Sequence, residues 1–188
     1  MFYGHEAYLL FAQAQLELSS KKYTLGVEHL SGTDQKNIGI TSNSFLSQYR
    51  GFHRHNGFMD YNASLMALEN HEGLTDLYFK QRYRINGNTD FKIHWHSFFT
   101  ASERFKPDSS QELLGPFWGN EIDLVTEFEL NPYCTLEVAY DMMFATATRS
   151  ALYGGNEKVF QQFAFIELNF EPNIWRKSPD IRIIETNI

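Results

Sequence analysis

The feature that most constrains this chain is an alternation of apolar and polar side chains, repeated in seven segments. Successive side chains of a β-strand point to opposite faces of a sheet, so each segment predicts a strand with one apolar and one polar face. In the first segment Leu10, Leu16 and Leu18 alternate with Gln15 and Glu17. The predicted strands cover approximately residues 5–18, 22–33, 74–85, 89–101, 121–130, 134–146 and 158–170.

The connections between these segments alternate in length. Short turns fall at Ser19–Lys21, Asn86–Asn88 and Asn131–Tyr133, and much longer connections separate the hairpins. Transmembrane barrels have short periplasmic turns and long extracellular loops, so the alternation predicts an all-β fold, an antiparallel up-and-down transmembrane β-barrel. A complete bacterial barrel has an even number of strands and both chain ends in the periplasm, whereas these seven strands start on the outer side. We therefore expect about seven strands of a larger barrel, with residues 1–171 as its C-terminal part and 172–188 as a tail.

Composition excludes several other classes. The net charge of −7 argues against a nucleic-acid partner, which would favour a basic surface. The single cysteine cannot form an internal disulfide. No apolar run approaches the ~20 residues of a spanning helix, and no signal peptide is visible at the start of the chain. Aromatic residues reach 16%, a high fraction that suits strands and membrane interfaces.

Five segments of the sequence share their pattern with a known family: Lys22–Gln35, Asn56–Tyr61, Gly73–Tyr78, Gly119–Leu124 and Met142–Thr146. They resemble segments of alginate-export-like outer-membrane porins of Bacteroidetes-type bacteria, and the similarity covers roughly residues 5–172. The resemblance implies a many-stranded barrel in the outer membrane of a Gram-negative cell. It implies the lipid bilayer and a diffusing solute as partners, with an anionic polysaccharide such as alginate as one candidate. The chain departs from the family in lacking an N-terminal barrel half and in carrying 18 residues after Phe170.

The charged residues of the polar faces are the candidate pore-lining and substrate-binding groups. The third and fourth strands carry the basic ones and the next hairpin the acidic ones, so that opposite charges would face a shared lumen. A solvated face with balanced charges explains the same pattern without any binding role. The candidates are Lys80, Arg82, Arg84, Lys92, His94, His96, Glu121, Asp123, Glu127, Glu137 and Asp141.

No catalytic, metal or cofactor site is predicted. His94 and His96 point the same way, but no further ligand at a known spacing completes a metal set. The acidic residues of the fifth strand share a face by strand geometry alone, which explains them without glycosidase chemistry. His53, His55 and His71 are interpreted as polar residues of a long loop.

Two functions therefore remain, and neither is enzymatic. The first is the wall of an outer-membrane pore or export channel for passive transport of small or anionic solutes. The second is a soluble, lipocalin-like barrel whose apolar face encloses a small apolar ligand. The exposure of Leu136, Val138 and Tyr140 separates them, because these side chains face lipid in the first and the interior in the second.

Overall fold

A computed structural model of the chain describes residues 6–46, 56–61, 71–108 and 111–171. They form one antiparallel sheet in which each strand pairs with the next along the chain. The predicted tail, 172–188, and the loop residues His53 and His55 lie outside the described residues. The strands are β1 (Leu9–Leu18), β2 (Lys21–Leu30), β3 (Leu74–Asn86), β4 (Thr89–Phe99), β5 (Phe117–Asn131), β6 (Cys134–Ala145) and β7 (Gln161–Phe170).

The all-β, up-and-down prediction is confirmed, and all seven predicted strands are present. The sheet formed by the described residues is open, since β1 and β7 pair with β2 and β6 alone. Predicted and observed strand ends differ by a few residues, most at β1 and at β5, which begins four positions before Glu121. One helix, α1 (Ala147–Tyr153), and a short 3-10 turn (Gln35–Asn37) lie in the long connections and were not predicted.

The three short turns join the strands at one end of the sheet. In two of them an asparagine side chain fixes the turn: Asn86 Oδ1 accepts from Asn88 N–H, and Asn131 Oδ1 accepts from Tyr133 N–H, both at 2.9 Å. Such Asx contacts replace a backbone turn and favour asparagine at these positions. Ser19 opens the β1–β2 turn in the left-handed region, with φ 48°. We call this edge of the sheet the turn end.

The strand registers place the side chains on two chemically distinct faces. We call one the apolar face; it carries Leu25, Leu77, Trp95, Tyr140 and Ile166. The other, the polar face, carries the side chains between them. Burial is opposite to that of a water-soluble sheet: Ile166 is 74% exposed, whereas Asp123 on the polar face is 0% exposed.

A small apolar core lies at the other edge, the loop end, where the long connections meet the strands. It consists of Leu30, Leu74, Phe98, Trp118 and Met143, one from each of five consecutive strands. Partly buried side chains from the connections pack against it, so the loops fold onto this end of the sheet. These are Phe45, Met59, Tyr61 and Leu152, with Ala145 from β6.

Candidate functional site

All the candidate pore-lining residues lie on the polar face. The registers pair them directly: Lys80 is opposite His94, His94 is opposite Asp123, and Asp123 is opposite Asp141. Arg82 likewise faces Lys92, and Glu127 faces Glu137. The basic and acidic hairpins are thus neighbours in one sheet, and the candidates form two groups along the strands, one at the turn end and one in the middle.

At the turn end the charges neutralise one another. Arg82 Nε donates to Asp90 Oδ2 at 2.7 Å, and Arg84 Nη2 donates to the same oxygen at 3.0 Å. Lys92 Nζ lies 2.5 Å from Glu127 Oε2. Asp90 is buried and was not among the candidates, although its position on the polar face of β4 follows from the alternation. The turn end is therefore an ion-pair network with mixed charge.

The second group is buried in the middle of the sheet, and we call it the buried cluster. It joins Asp76, His94 and His96 to three carboxyl groups of β5 and β6, namely Glu121, Asp123 and Asp141. Asp76, His96, Glu121, Asp123 and Asp141 are each at most 1% exposed. So many ionisable groups removed from water need compensating charge and hydrogen bonds, and functional sites are one place where such clusters occur.

His96 has a defined orientation in the buried cluster. Its Nδ1 lies 2.8 Å and 3.0 Å from the two carboxylate oxygens of Asp76, so Nδ1 carries the hydrogen and donates. In the neutral ring Nε2 then has the lone pair, and it lies 4.0 Å from Asp123 Oδ2. Asp76 was not among the candidates either, although it orients His96, which was one of them.

Segment 56–61, part of the longest connection, covers the buried cluster. Asn56 Nδ2 donates to Asp76 Oδ2 at 3.0 Å, and Met59 N–H donates to Glu121 Oε1 at 2.8 Å. The Phe58 ring lies 5.5 Å from the His94 ring and 6.2 Å from that of Phe165. Gly57, with φ 85°, lets the backbone approach closely, because a Cβ there would lie 2.4 Å from Glu121 Oε1.

At the loop end, a polar network joins two connections, residues 31–73 and 100–116. His71 is buried, which corrects its interpretation as an ordinary loop residue: Gly73 N–H donates to Nδ1 at 2.9 Å, and Nε2 donates to the Phe45 carbonyl at 3.1 Å. Burial lowers the pKa of His71, partly offset by the Phe45 carbonyl and reinforced by Arg104. Arg104 also lies 3.6 Å from Glu72, whose pKa is raised by burial against that attraction.

Helix α1 closes the loop end beside this network. Its Arg149 guanidinium lies 4.3 Å from the centre of the Tyr153 ring and 5.0 Å from that of Tyr61. Trp118 packs edge-on against Tyr153 at 5.4 Å. Burial lowers the pKa of Arg149, and the surrounding aromatic rings compensate its charge through cation–π contacts.

Within the described ranges, none of the helices has the length and apolar character required to cross a lipid bilayer.

The chain was compared with models of known protein families, with curated proteins and with solved structures, and none of the three comparisons gave a match.

Proposed function

We propose that this chain forms part of the wall of an outer-membrane pore, with the apolar face toward lipid and the polar face toward an aqueous passage. The observation that carries the proposal is the inverted burial of the sheet. Large apolar side chains are exposed on strand after strand, among them Leu25, Leu77, Phe79, Trp95 and Phe144. A contiguous apolar surface of this kind is costly in water and is what a bilayer requires of a barrel exterior.

The connections support the same orientation. The turns at the turn end contain two residues each between paired strands, whereas the connections at the loop end run from residue 31 to 73, 100 to 116 and 146 to 160. Barrels of bacterial outer membranes keep short turns on the periplasmic side and long loops outside. The turn end would therefore face the periplasm.

The polar face supports a passage for polar solutes. Its charges are mixed, and the guanidinium groups of Arg82 and Arg84 share Asp90 as a partner. Such a lining favours passive diffusion of small polar or anionic solutes, and a polyuronate such as alginate remains the candidate that the family resemblance suggests. Segment 56–61, held on Asp76 and Glu121, would narrow the passage.

The lipocalin-like alternative requires the apolar face to be enclosed. Val138 and Tyr140 are exposed, and Leu136 is half-buried. This exposure favours the pore over a soluble barrel with an apolar interior.

A pair of arginine substitutions tests the membrane placement. Leu25 lies in the middle of β2 on the apolar face, and Gln15 lies on the polar face of β1. In lipid vesicles we expect Leu25→Arg to lower the free energy of unfolding by about 2–4 kcal/mol, since a charge near the bilayer midplane is costly. Gln15→Arg, the matched control, should change it by less than about 0.5 kcal/mol.

Urea unfolding of the vesicle-bound protein, followed by tryptophan fluorescence, measures both values. If the apolar face lay in water, Leu25→Arg would be as mild as Gln15→Arg, because an exposed leucine can be replaced by a charge at little cost. Equal effects of the two substitutions would therefore refute the pore.

A further inference from the structure

His94, His96 and Asp123 each place a potential metal-ligand atom in the same small volume of the buried cluster. These three atoms, one from each residue, all lie within 4.8 Å of one another. The strands explain the arrangement: the two histidines are two residues apart on β4 and share a face, and Asp123 is the register partner of His94 on β5. The sequence spacing offers no third ligand beside His94 and His96, but the neighbouring strand supplies one, Asp123.

The orientation of His96 independently points to a cation. With Nδ1 donating to Asp76, Nε2 is the free ring nitrogen; it is buried and has no hydrogen-bond partner among the residues that the structure describes. It lies 4.0 Å from Asp123 Oδ2, which is also an acceptor. Two buried acceptors that face each other repel unless a proton or a metal ion lies between them.

The separation suits a bound metal ion. Bonds from a divalent transition metal to imidazole nitrogen and carboxylate oxygen are about 2.0–2.2 Å, so two ligand atoms on one ion lie roughly 3–4 Å apart. The 4.0 Å between His96 Nε2 and Asp123 Oδ2 falls at the upper end of this range.

The surroundings have the character of an outer shell of a metal site. The carboxylate of Asp76 on Nδ1 of His96 is the partner that metal-binding histidines ordinarily have, since it fixes the ring and raises its basicity. The Phe58 ring shields His94 from above. Glu121, the register partner of His96, has an Oε2 atom that is buried and without a hydrogen-bond partner in the described part of the chain, and it could complete the set.

We propose that His94, His96 and Asp123 bind a divalent first-row transition-metal ion of the Zn²⁺ type. Two imidazoles and one carboxylate suit Zn²⁺, Fe²⁺, Co²⁺ and Ni²⁺ better than Ca²⁺ or Mg²⁺, which prefer sites made only of oxygen. The site rests on the registers of β4 and β5 and on the contact of His96 with Asp76. It does not depend on the pore, and either proposal can fail without the other.

Cobalt substitution tests the site in the full chain folded in detergent micelles. After EDTA treatment, titration with Co²⁺ should give visible ligand-field absorption that saturates at one equivalent and is displaced by Zn²⁺. His96→Gln and Asp123→Asn should each weaken binding at least tenfold. His29→Gln should leave it unchanged, because His29 lies on the apolar face and is hydrogen-bonded to Thr75.

Asp76→Asn distinguishes a metal site from a structural cluster. Because Asp76 positions His96 without touching the ion, its loss should weaken Co²⁺ binding by about 10–100-fold while the stoichiometry stays at one. X-ray absorption of the Zn²⁺-loaded wild-type chain gives a reading that needs no variant, and two imidazole ligands are expected. Absence of saturable binding, full affinity in a His94→Gln/His96→Gln double variant, or a Zn²⁺ spectrum without imidazole would each overturn the proposal.

Discussion

At the scale of single residues, His71 is a polar side chain buried at the loop end with a specific partner on each ring nitrogen. His71 accepts from Gly73 N–H through Nδ1 and donates to the Phe45 carbonyl through Nε2. These two bonds require the neutral ring with its hydrogen on Nε2. Protonation of Nδ1 would break the first of them and bring a second positive charge near Arg104.

This arrangement predicts a pH-dependent contribution of His71 to stability. The folded-state pKa of His71 is below its ordinary value of 6.5 because of burial, so the unfolded chain takes up the proton first. The contribution is therefore complete above pH 6.5 and is lost as pH falls toward the folded-state pKa. His71→Gln should cost about 1–3 kcal/mol at pH 7.5, from two lost hydrogen bonds, and less at pH 5.

Urea unfolding of the wild type and of His71→Gln at several pH values between 5 and 7.5 measures the difference. The raised pKa of Glu72 acts with the opposite sign, but it is present in both proteins and largely cancels. If the difference in the free energy of unfolding between the two proteins stayed constant over this pH range, the pKa of His71 would be the same in the folded and unfolded states, and the prediction would be wrong.

At the scale of secondary-structure elements, the start of β5 departs from regular strand geometry. The register shifts between Phe98 and Phe99, so Trp118 and Gly119 together occupy the space of one residue. This bulge directs Trp118 into the apolar core at the loop end. Bulges of this kind re-aim a side chain at the rim of a sheet.

Gly119 is the residue that permits the bulge. Its φ is 147°, and a Cβ there would lie 2.3 Å from the Phe144 carbonyl oxygen. We expect Gly119→Ala to lower the free energy of unfolding by about 1–3 kcal/mol, the usual cost of a strained backbone conformation. Gly87→Ala is the matched control, since a Cβ at Gly87 meets nothing within 4 Å, and it should change stability by less than about 0.5 kcal/mol.

The stabilities of the two variants are compared by the midpoints of their urea unfolding curves, measured in detergent micelles. If the two variants were equally stable, the bulge would accept a side chain at position 119 without cost. Gly119 would then not be required for it, and the expectation would be wrong.

Helix α1 shows how an element can depend on its surroundings. Seven residues are too few for a stable helix in isolation. Arg149 and Tyr153 instead attach the helix to Trp118 and Tyr61 at the loop end. The helix exists because it docks there, and local sequence pattern alone does not reveal it.

At the scale of the whole molecule, the sheet formed by the described residues is open and has seven strands, an odd number. In an up-and-down sheet of seven strands, β1 and β7 run in the same direction. Joining them would create a parallel pair, so fully antiparallel closure needs an odd number of further strands. This topology supports the proposal that the seven strands are part of a larger barrel.

The open edges predict that amide hydrogen exchange is faster in the edge strand β1 than in the central strand β4. In an antiparallel strand alternate amides point to opposite neighbours, and among the described residues β1 has a neighbour only on the β2 side. We expect every second amide of β1 to exchange rapidly in detergent, whereas nearly all amides of β4, which pairs on both sides, remain protected. NMR-detected exchange resolves the individual amides.

Uniform protection along β1, equal to that of β4, would contradict this expectation. It would mean that another strand, from elsewhere in this chain or from a second copy, already covers the edge.

The sequence by itself determined the strands and the chemistry of their two faces. Alternation is a local consequence of strand geometry, so residues such as Leu136 and Glu137 could be assigned to opposite faces, and the candidates to one face, without any tertiary contact. Asparagine at 86 and 131 likewise marked the turns, because its side chain bonds the backbone two residues on.

Only the tertiary structure decided which of these residues meet. The contact of Asp76 with His96, the position of Asp123 beside two histidines and the cover provided by segment 56–61 join residues far apart in the chain. Such contacts depend on strand register and on the path of long loops. Neither is encoded in a periodicity of two, because the alternation gives the face of each residue but not its neighbour on the next strand.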